Sequence, residues 1–331
     1  MKKLICIIFS LALASQAAAG PGTGAFDILK VPAGIKSQGM SGAYSAACRD
    51  IEAMDYNPAG LAYIERQEIL FIHDIYLQDV FFDSLYYGQG LGEAGSFGVG
   101  IKYLNQGSVV RTLEDGMGGY AGTAEEVSGM NYLVSAGYAI GMDKISYSEL
   151  TQNIKAGIAL KVAGEQAAEY SSVGGALDIG FMYNIALGGE SFLTNRGEFV
   201  WSNIGLGLAL RNIGASTSSG MTPFTAAIGA YTALLNLGAA GNEIKGALEA
   251  DFGMNGFNIR FGGEYRHRME NMNFNLRLGG NINPEESLSG GFSIGAGFGI
   301  RAETVAYMID YVFLPFDEFG AGHKAGFGIN F

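Results

Sequence analysis

The chain has 331 residues, with 52 Gly, 38 aromatic Phe and Tyr residues, 6 Pro and 2 Cys, and only 16% of its residues are charged. Disordered chains combine low hydrophobicity with few aromatic residues, so the 48% hydrophobic content excludes disorder. Collagen is excluded because proline is scarce and glycine has no three-residue period. The net charge of -12, without any basic cluster, argues against nucleic acid as a partner.

The first 19 residues have the pattern of a secretory signal peptide. Lys2 and Lys3 precede an apolar run over residues 4–14, and alanines follow at positions 17–19. We expect cleavage after Ala19. A retained anchor is the alternative, but this run is too short to cross about 30 Å of hydrocarbon as a helix. Cleavage leaves Cys48 as the remaining cysteine, and we expect it to be a small packed residue.

Beyond the signal, apolar residues follow a two-residue period, which is typical of β-strands with one apolar face. Residues 154–162, 259–266, 274–279 and 291–300 all alternate in this way. Alternation alone fits both a soluble sandwich and a membrane barrel. The signal peptide, strands long enough to cross a bilayer, aromatic residues near strand ends and a C-terminal strand ending in Phe331 favour the barrel.

The pattern predicts an all-β fold, a 14-stranded antiparallel transmembrane β-barrel over residues 68–331 in the outer membrane. An even, closed set of strands leaves no unpaired edge in lipid. The longest connection, residues 106–128, is expected to be an outer loop, and residues 186–197 an unusually long inner turn. The strands are predicted near residues 68–78, 81–90, 95–106, 129–141, 152–164, 172–184, 198–212, 223–235, 243–252, 257–267, 271–281, 288–300, 303–313 and 323–331.

Residues 20–67 do not follow the strand pattern. Glycines at 34, 39 and 42 indicate compact turns, and residues 50–55 indicate a helical turn that ends before Pro58. A barrel of fourteen strands has a lumen that its own side chains do not fill. We therefore expect this segment to lie inside the lumen as a hatch, or plug. A tail in the periplasm is the alternative.

Several charged residues lie on the polar face of the predicted strands. An Arg or Lys directed at lipid would cost about 2 to 4 kcal/mol near the membrane midplane, so we expect these side chains to line the lumen. They pair with carboxylates such as Asp178, Glu249 and Asp251, or they select an anionic headgroup such as a fatty carboxylate. The candidates are Lys155, Lys161, Arg260, Glu264, Arg266, Arg277 and Lys324.

Motifs for enzymatic chemistry are weak. Residues 90–95 match a dinucleotide-binding glycine pattern, but an alternating strand follows instead of a helix. Residues 291–295 match a nucleophile elbow but lie inside a strand pattern. His73, His267 and His323 lack metal-ligand spacing. We expect no enzymatic activity, cofactor or metal, with a hidden Ser/His pair of a barrel lipase as the alternative.

Residues 26–30, 34, 39–44 and 57–61 resemble the N-terminal pattern of the PorV/PorQ-like proteins, a branch of the FadL-type outer-membrane barrels. The block Asn57, Pro58, Ala59, Gly60 and Leu61 is the most specific part of this resemblance. Further matches lie at residues 208–214, 310–311, 315–316 and 320–323. The resemblance implies a fourteen-stranded barrel with an N-terminal hatch in the lumen, and we expect the block to lie at its gate.

Two functions follow from the resemblance and stay open. FadL relatives carry long-chain fatty acids and other hydrophobic compounds inward, whereas PorV serves the type IX secretion system as a scaffold that delivers cargo proteins. The partners implied are outer-membrane lipid, hydrophobic small molecules and, for the scaffold, secretion-system components. The C-terminal strand also resembles the signal that the barrel assembly machinery reads.

Overall fold

The structure is a computed structural model that describes residues 26–77, 80–146, 148, 151–167, 170–186, 199–214, 220–236, 242–253, 256–282, 291–316 and 320–331. The predicted signal peptide, residues 1–19, lies outside the described residues. The same holds for the predicted inner turn at 186–197, apart from its first residue.

Fourteen strands in the described residues form one closed antiparallel barrel, as predicted. Each strand pairs with its neighbours in sequence, and β1 pairs with β14 to close the wall. Apart from the β3 to β4 hairpin, the predicted strand ends agree with the observed strand ends within four residues. The strands are β1 (Gln67–Leu77), β2 (Val80–Gly90), β3 (Ser96–Glu114), β4 (Tyr120–Gly141), β5 (Ile154–Ala167), β6 (Tyr170–Ala186), β7 (Phe199–Gly214), β8 (Thr225–Asn236), β9 (Glu243–Gly253), β10 (Gly256–Arg268), β11 (Met272–Asn281), β12 (Phe292–Ala302), β13 (Val305–Pro315) and β14 (Ala321–Asn330).

The alternating pattern separates an apolar outer wall from a polar lumen. In β5, Ile158, Leu160 and Val162 are 51%, 62% and 49% exposed, whereas Lys161 between them is 5% exposed. Successive side chains of a strand point to opposite faces, so the exposed apolar residues cover the outside of the barrel. An outer wall of this kind faces lipid.

The β3 to β4 connection differs from the prediction. Instead of a loop over residues 106–128, the two strands stay paired from Ser108 opposite Ser128 to Glu114 opposite Tyr120. Val109 and Val110 are β-branched and favour extended backbone, and Gly118 takes a positive φ of 84° in the turn. The glycines of this stretch had suggested a loop, but the structure has a long hairpin that extends beyond the barrel wall.

The described part of the N-terminal segment, residues 26–66, lies in the lumen, and we call it the hatch. It contains short helices: a 3-10 helix at Asp27–Leu29, α1 (Ile35–Gly39), α2 (Ala53–Tyr56) and a second 3-10 helix at Pro58–Tyr63. Among the described residues, no helix is long and apolar enough to cross a membrane. Apolar hatch side chains form one buried cluster with inward-facing residues of the wall.

Glycines on the inner wall make room for the hatch. A Cβ atom on Gly98 of β3 would lie 3.1 Å from the sulfur of Met54, and one on Gly137 of β4 would lie 2.8 Å from the same atom. These distances are shorter than ordinary van der Waals contact, so a larger residue at either position would force the Met54 side chain to shift. At Gly157 of β5 a Cβ would clash with the backbone of Pro58, so a larger residue there would displace the hatch itself. Part of the high glycine content therefore reflects the packing of hatch against wall.

Candidate functional site

Asn57, the first residue of the predicted gate block, joins the hatch to two strands. Its side-chain oxygen accepts the N–H of Ala59 at 3.1 Å and caps the 3-10 helix that starts at Pro58. Its amide nitrogen lies 3.1 Å from the carbonyl oxygen of Phe181 in β6 and 3.4 Å from that of Leu208 in β7. The same nitrogen donates to the carbonyl of Ser45 at 2.8 Å. One buried side chain thus holds two parts of the hatch against the wall.

The rest of the gate block is buried beside Cys48. Pro58, Ala59, Gly60 and Leu61 are all buried. A Cβ on Gly60 would lie 2.7 Å from the sulfur of Cys48, so the block requires glycine there. Cys48 is itself fully buried and contacts backbone oxygens. Burial raises the pKa of its thiol, which keeps it protonated. This agrees with the expected packing role.

A second anchor joins α2 of the hatch to β3. Asp55 forms an ion pair of 2.7 Å with Lys102 and accepts a hydrogen bond of 2.8 Å from the hydroxyl of Tyr86 in β2. Burial opposes ionisation of Asp55, but the charges of Lys102 and Lys161 outweigh it, so the pKa of this carboxyl lies below its ordinary value. Asp55 is therefore held as a carboxylate inside the lumen.

A wall carboxylate binds the backbone of the hatch. Glu249 of β9 is 1% exposed and accepts the N–H groups of Tyr44 at 3.0 Å and Ser45 at 2.7 Å. Its other oxygen lies 3.8 Å from Arg260 and from Arg211. Arg260 pairs at 2.8 Å with Asp251. Glu249 thus acts both as a partner of the lumen cations and as an acceptor for the hatch.

A β-bulge between β6 and β7 forms a third anchor. Arg211 and Asn212 together face Asp178, and Asn212 has a positive φ of 57°. Asp178 accepts the N–H of Asn212 at 2.7 Å and pairs with Lys161 at 2.6 Å. The Asn212 amide then donates to the carbonyl of Leu29 in the hatch at 3.4 Å. The bulge thus directs a wall side chain towards the start of the hatch.

The remaining predicted lumen charges also have carboxylate partners. Arg277 is 2% exposed and lies 2.6 Å from both Glu264 and Asp310. Arg266 pairs with Glu264 at 3.2 Å. Lys155 pairs with Asp143 at 3.1 Å in a more exposed setting. The arrangement favours the pairing role for these residues, and it leaves Arg260 and Arg277 poorly placed to bind a headgroup.

Sequence reasoning missed Lys102, Asp74 and Asp55 as anchors. Lys102 of β3 and Asp74 of β1 point into the lumen. The alternation of inward and outward positions along each strand would have been enough to predict this. Lys324 of β14, which pairs with Asp74 at 2.9 Å, also donates to the carbonyl of Pro32 in the hatch at 2.8 Å. Asp55 had no such signal, because its segment lacks a strand period.

A cavity of about 420 Å³ lies between the hatch and strands β9 to β13. It lies at the end of the barrel where β1 begins at Gln67 and β14 ends at Asn330, which we call the terminal end. We call this space the terminal cavity. Sixteen of its 26 lining residues are charged or carry a side-chain amide, so it is a polar space. In the described residues, no group of three or more His, Cys, Asp or Glu is arranged to hold a metal ion.

The sequence profile of the uncharacterised protein family UPF0164 matches residues 8–240. Among curated protein sequences, none matches this chain. Solved structures do resemble it in fold. The toluene transporter TbuX of Ralstonia pickettii aligns with a TM-score of 0.50 at 10% identity, over 94% of this chain and 98% of TbuX. The toluene transporter TodX of Pseudomonas putida gives 0.49 at 10% identity, over 93% and 97% of the two chains. A FadL homologue of Pseudomonas aeruginosa gives 0.45 at 10% identity, over 91% and 98%.

At such low identity the likeness concerns the fold alone. The likeness to TbuX agrees with the predicted barrel fold, whereas the resemblance to FadL-type barrels and to their PorV/PorQ-like branch stays a prediction. A closed antiparallel barrel with an apolar outer wall is the architecture of outer-membrane proteins. The chain is therefore an outer-membrane β-barrel.

Proposed function

The chain belongs to the uncharacterised protein family UPF0164, and we propose that this member is an outer-membrane channel for hydrophobic compounds, closed by its own hatch. The observation that carries the proposal is the hatch itself, which fills the lumen and is held by polar contacts. TbuX, whose fold this chain shares, is a toluene transporter. Long-chain fatty acids are the solutes that the sequence resemblance adds.

In this proposal the hatch moves or rearranges when a solute passes. Hydrogen bonds of Asn57 and the ion pair of Asp55 set its position against the wall, beside the apolar cluster that hatch and wall share. The long β3 to β4 hairpin lies at the end opposite the terminal end. Outer-membrane barrels carry their longer loops outside the cell, so the hairpin end would face outward and the terminal end would face the periplasm.

The test locks the hatch to the wall. The hydroxyl oxygens of Ser41 in the hatch and Ser293 in β12 are 2.9 Å apart, so Ser41→Cys with Ser293→Cys places two thiols for a disulfide. Cells without their own channel for such solutes would express this variant, and the uptake of labelled oleate and of toluene would be followed. We expect uptake to stop on oxidation and to return on reduction. The two single-cysteine variants serve as matched controls.

Two results would count against the proposal in different ways. If the unlocked protein gives no more uptake of either solute than an unrelated barrel, the channel function fails. Uptake could instead continue in the oxidised double variant, with the disulfide verified by mass spectrometry. Solutes would then pass while the hatch stays attached to β12, and the hatch would not be the gate.

The second candidate is a scaffold of a type IX secretion system, and the β3 to β4 hairpin is the observation that favours it. Val109, Met117 and Tyr120 are 67%, 98% and 70% exposed on this hairpin, which offers a partner apolar contacts away from the membrane. Replacing residues 107–128 with an Asn-Gly turn should then abolish cargo release in a host with that system and leave solute uptake intact. Loss of uptake alone would favour the channel.

A further inference from the structure

The terminal cavity has a surplus of positive charge, although the chain as a whole is acidic. Seven basic and five acidic side chains line it, whereas the whole protein carries a net charge of -12. The surplus is therefore a local feature of this space. Most of the cavity acids are already neutralised by cations that also line it.

Four of the five acids have cationic partners within the cavity. Asp50 pairs with Lys36 at 2.7 Å. Asp310 and Glu264 share Arg277, and Glu243 lies 3.5 Å from Lys245. The fifth acid, Glu68, instead accepts the N–H of Ile51 at 2.9 Å and the Asn330 amide at 3.5 Å. Arg266 also pairs with Glu264, at 3.2 Å. Among the basic side chains of the lining, three arginines remain outside these pairs.

The three arginines are Arg49, Arg268 and Arg301. Among the described residues, none of them has a carboxylate oxygen within the 4 Å of an ion pair, in contrast to Arg277 nearby, which has two. Arg268 and Arg301 are exposed at the ends of β10 and β12, and Arg49 lies half-buried in the hatch. Three guanidinium groups therefore line one cavity with no anionic partner in the part of the chain that the structure describes.

Arg49 is held in place by the surrounding side chains. Its guanidinium carbon lies 4.3 Å from the ring centre of Tyr231 in β8 and 5.1 Å from that of Tyr63 in the hatch. One terminal nitrogen donates to the side-chain oxygen of Asn184 at 2.6 Å. These neighbours orient the group without neutralising its charge. A planar guanidinium fixed in this way suits the two-pronged binding of a carboxylate or a phosphate.

We propose that the terminal cavity binds a water-soluble oxyanion with more than one negative charge, held by Arg49, Arg268 and Arg301. The volume of about 420 Å³ is that of a small-molecule site. The ligand would be hydrophilic, because a hydrocarbon body in this space would remove charged and amide side chains from water without replacing their hydrogen bonds. This site is independent of the proposed uptake of hydrophobic compounds.

The test measures binding to the purified full-length barrel in a non-ionic detergent by isothermal titration calorimetry. Citrate and pyrophosphate serve as probes for carboxylate and phosphate, and dodecyl phosphate serves as a probe for an anionic lipid headgroup. We expect saturable binding of citrate or pyrophosphate at low ionic strength. Arg49→Gln should weaken it about tenfold or more, because a charge-assisted contact is lost. The binding should also weaken as salt screens the charges.

Two further variants separate binding from folding. Arg268→Gln with Arg301→Gln alters exposed side chains only and should weaken binding about tenfold without changing the melting temperature. Arg66→Gln is the matched control, because Arg66 binds the Thr304 carbonyl at 3.0 Å and does not line the cavity. No binding of either soluble probe, binding of dodecyl phosphate alone, or equal weakening by Arg66→Gln would overturn the proposal. Because solute uptake is measured separately, failure of this site leaves the channel proposal standing.

Discussion

Asp55 of the hatch and Lys102 of β3 form an ion pair of 2.7 Å in which the two side chains are 5% and 4% exposed. The hydroxyl of Tyr86 and the N–H of Ala33 also donate hydrogen bonds to the Asp55 carboxylate. A buried pair of this kind contributes little to stability relative to apolar side chains, but breaking it leaves a charge without a partner. This pair therefore specifies where the hatch docks.

Replacing only one residue of the Asp55–Lys102 pair should weaken hatch docking much more than replacing both. We expect Asp55→Asn to lower the free energy of hatch docking by about 3 to 5 kcal/mol, because Lys102 stays buried without its carboxylate. Asp55→Leu combined with Lys102→Met should recover most of that loss. The measurement is the rate at which a protease cleaves the hatch in detergent. Asp143→Asn is the control, since its pair with Lys155 is more exposed and worth about 0 to 1 kcal/mol. Equal effects of the two Asn variants would contradict this prediction.

The same pair should make hatch docking sensitive to acid. The folded pKa of Asp55 lies below its ordinary value of 3.8, since the nearby lysines outweigh the effect of burial. The ionised Asp55 carboxylate therefore stabilises hatch docking above about pH 4. This contribution is lost as the pH falls through the lower pKa that Asp55 has in the docked hatch. Protease cleavage of the hatch, followed from about pH 7 down to pH 3, should rise more steeply in the wild type than in Asp55→Asn. Parallel curves would mean that another group governs the acid response.

The wall of the barrel could be predicted from local sequence, because a two-residue period assigns alternate side chains to opposite faces of each strand. Leu160 and Lys161 are neighbours, and the cost of a lysine in lipid decides which of them faces inward. The same reasoning placed Arg277 in the lumen. Its partner Asp310 lies 33 residues away, and only the registers of β11, β12 and β13 bring the two together.

The hatch could not be predicted in the same detail. Its sequence indicated turns and the Asn57 block, but the two wall carbonyl groups that Asn57 contacts belong to strands more than 120 residues away. Asp55 and Arg49 gave no signal, since their roles depend on which wall they meet. The prediction for the β3 to β4 connection was wrong because its glycines were taken to indicate a loop. In the structure Gly118, with its positive φ, occupies a position in the short turn between two paired strands.

The β3 to β4 hairpin should be dispensable for the barrel. Its side chains from Val109 to Tyr120 are mostly exposed, and the neighbouring strands β2 and β5 end before it. Replacing residues 107–128 with Asn-Gly leaves a two-residue turn between residues 106 and 129, which follows the register of Asn105 opposite Met130 and suits a hairpin. We expect an unchanged melting temperature and the same heat-dependent gel mobility as the wild type. A large loss of stability would show that the hairpin packs onto the barrel in the membrane.

The outer wall offers the most direct check of the membrane assignment. Leu160 lies in the middle of β5 and points outward with 62% of its surface exposed. Leu160→Arg should lower the free energy of folding into a bilayer by about 2 to 4 kcal/mol, because the charge meets hydrocarbon near the midplane. Ile185 is the matched site, as it points outward with 40% of its surface exposed near the end of β6, and Ile185→Arg should cost only about 0 to 1 kcal/mol there. Urea titration of folding into vesicles, read by gel mobility, compares the two. If both arginines cost the same, the middle of β5 does not lie deeper in lipid than the strand end, and the orientation of the barrel in the membrane has to be revised.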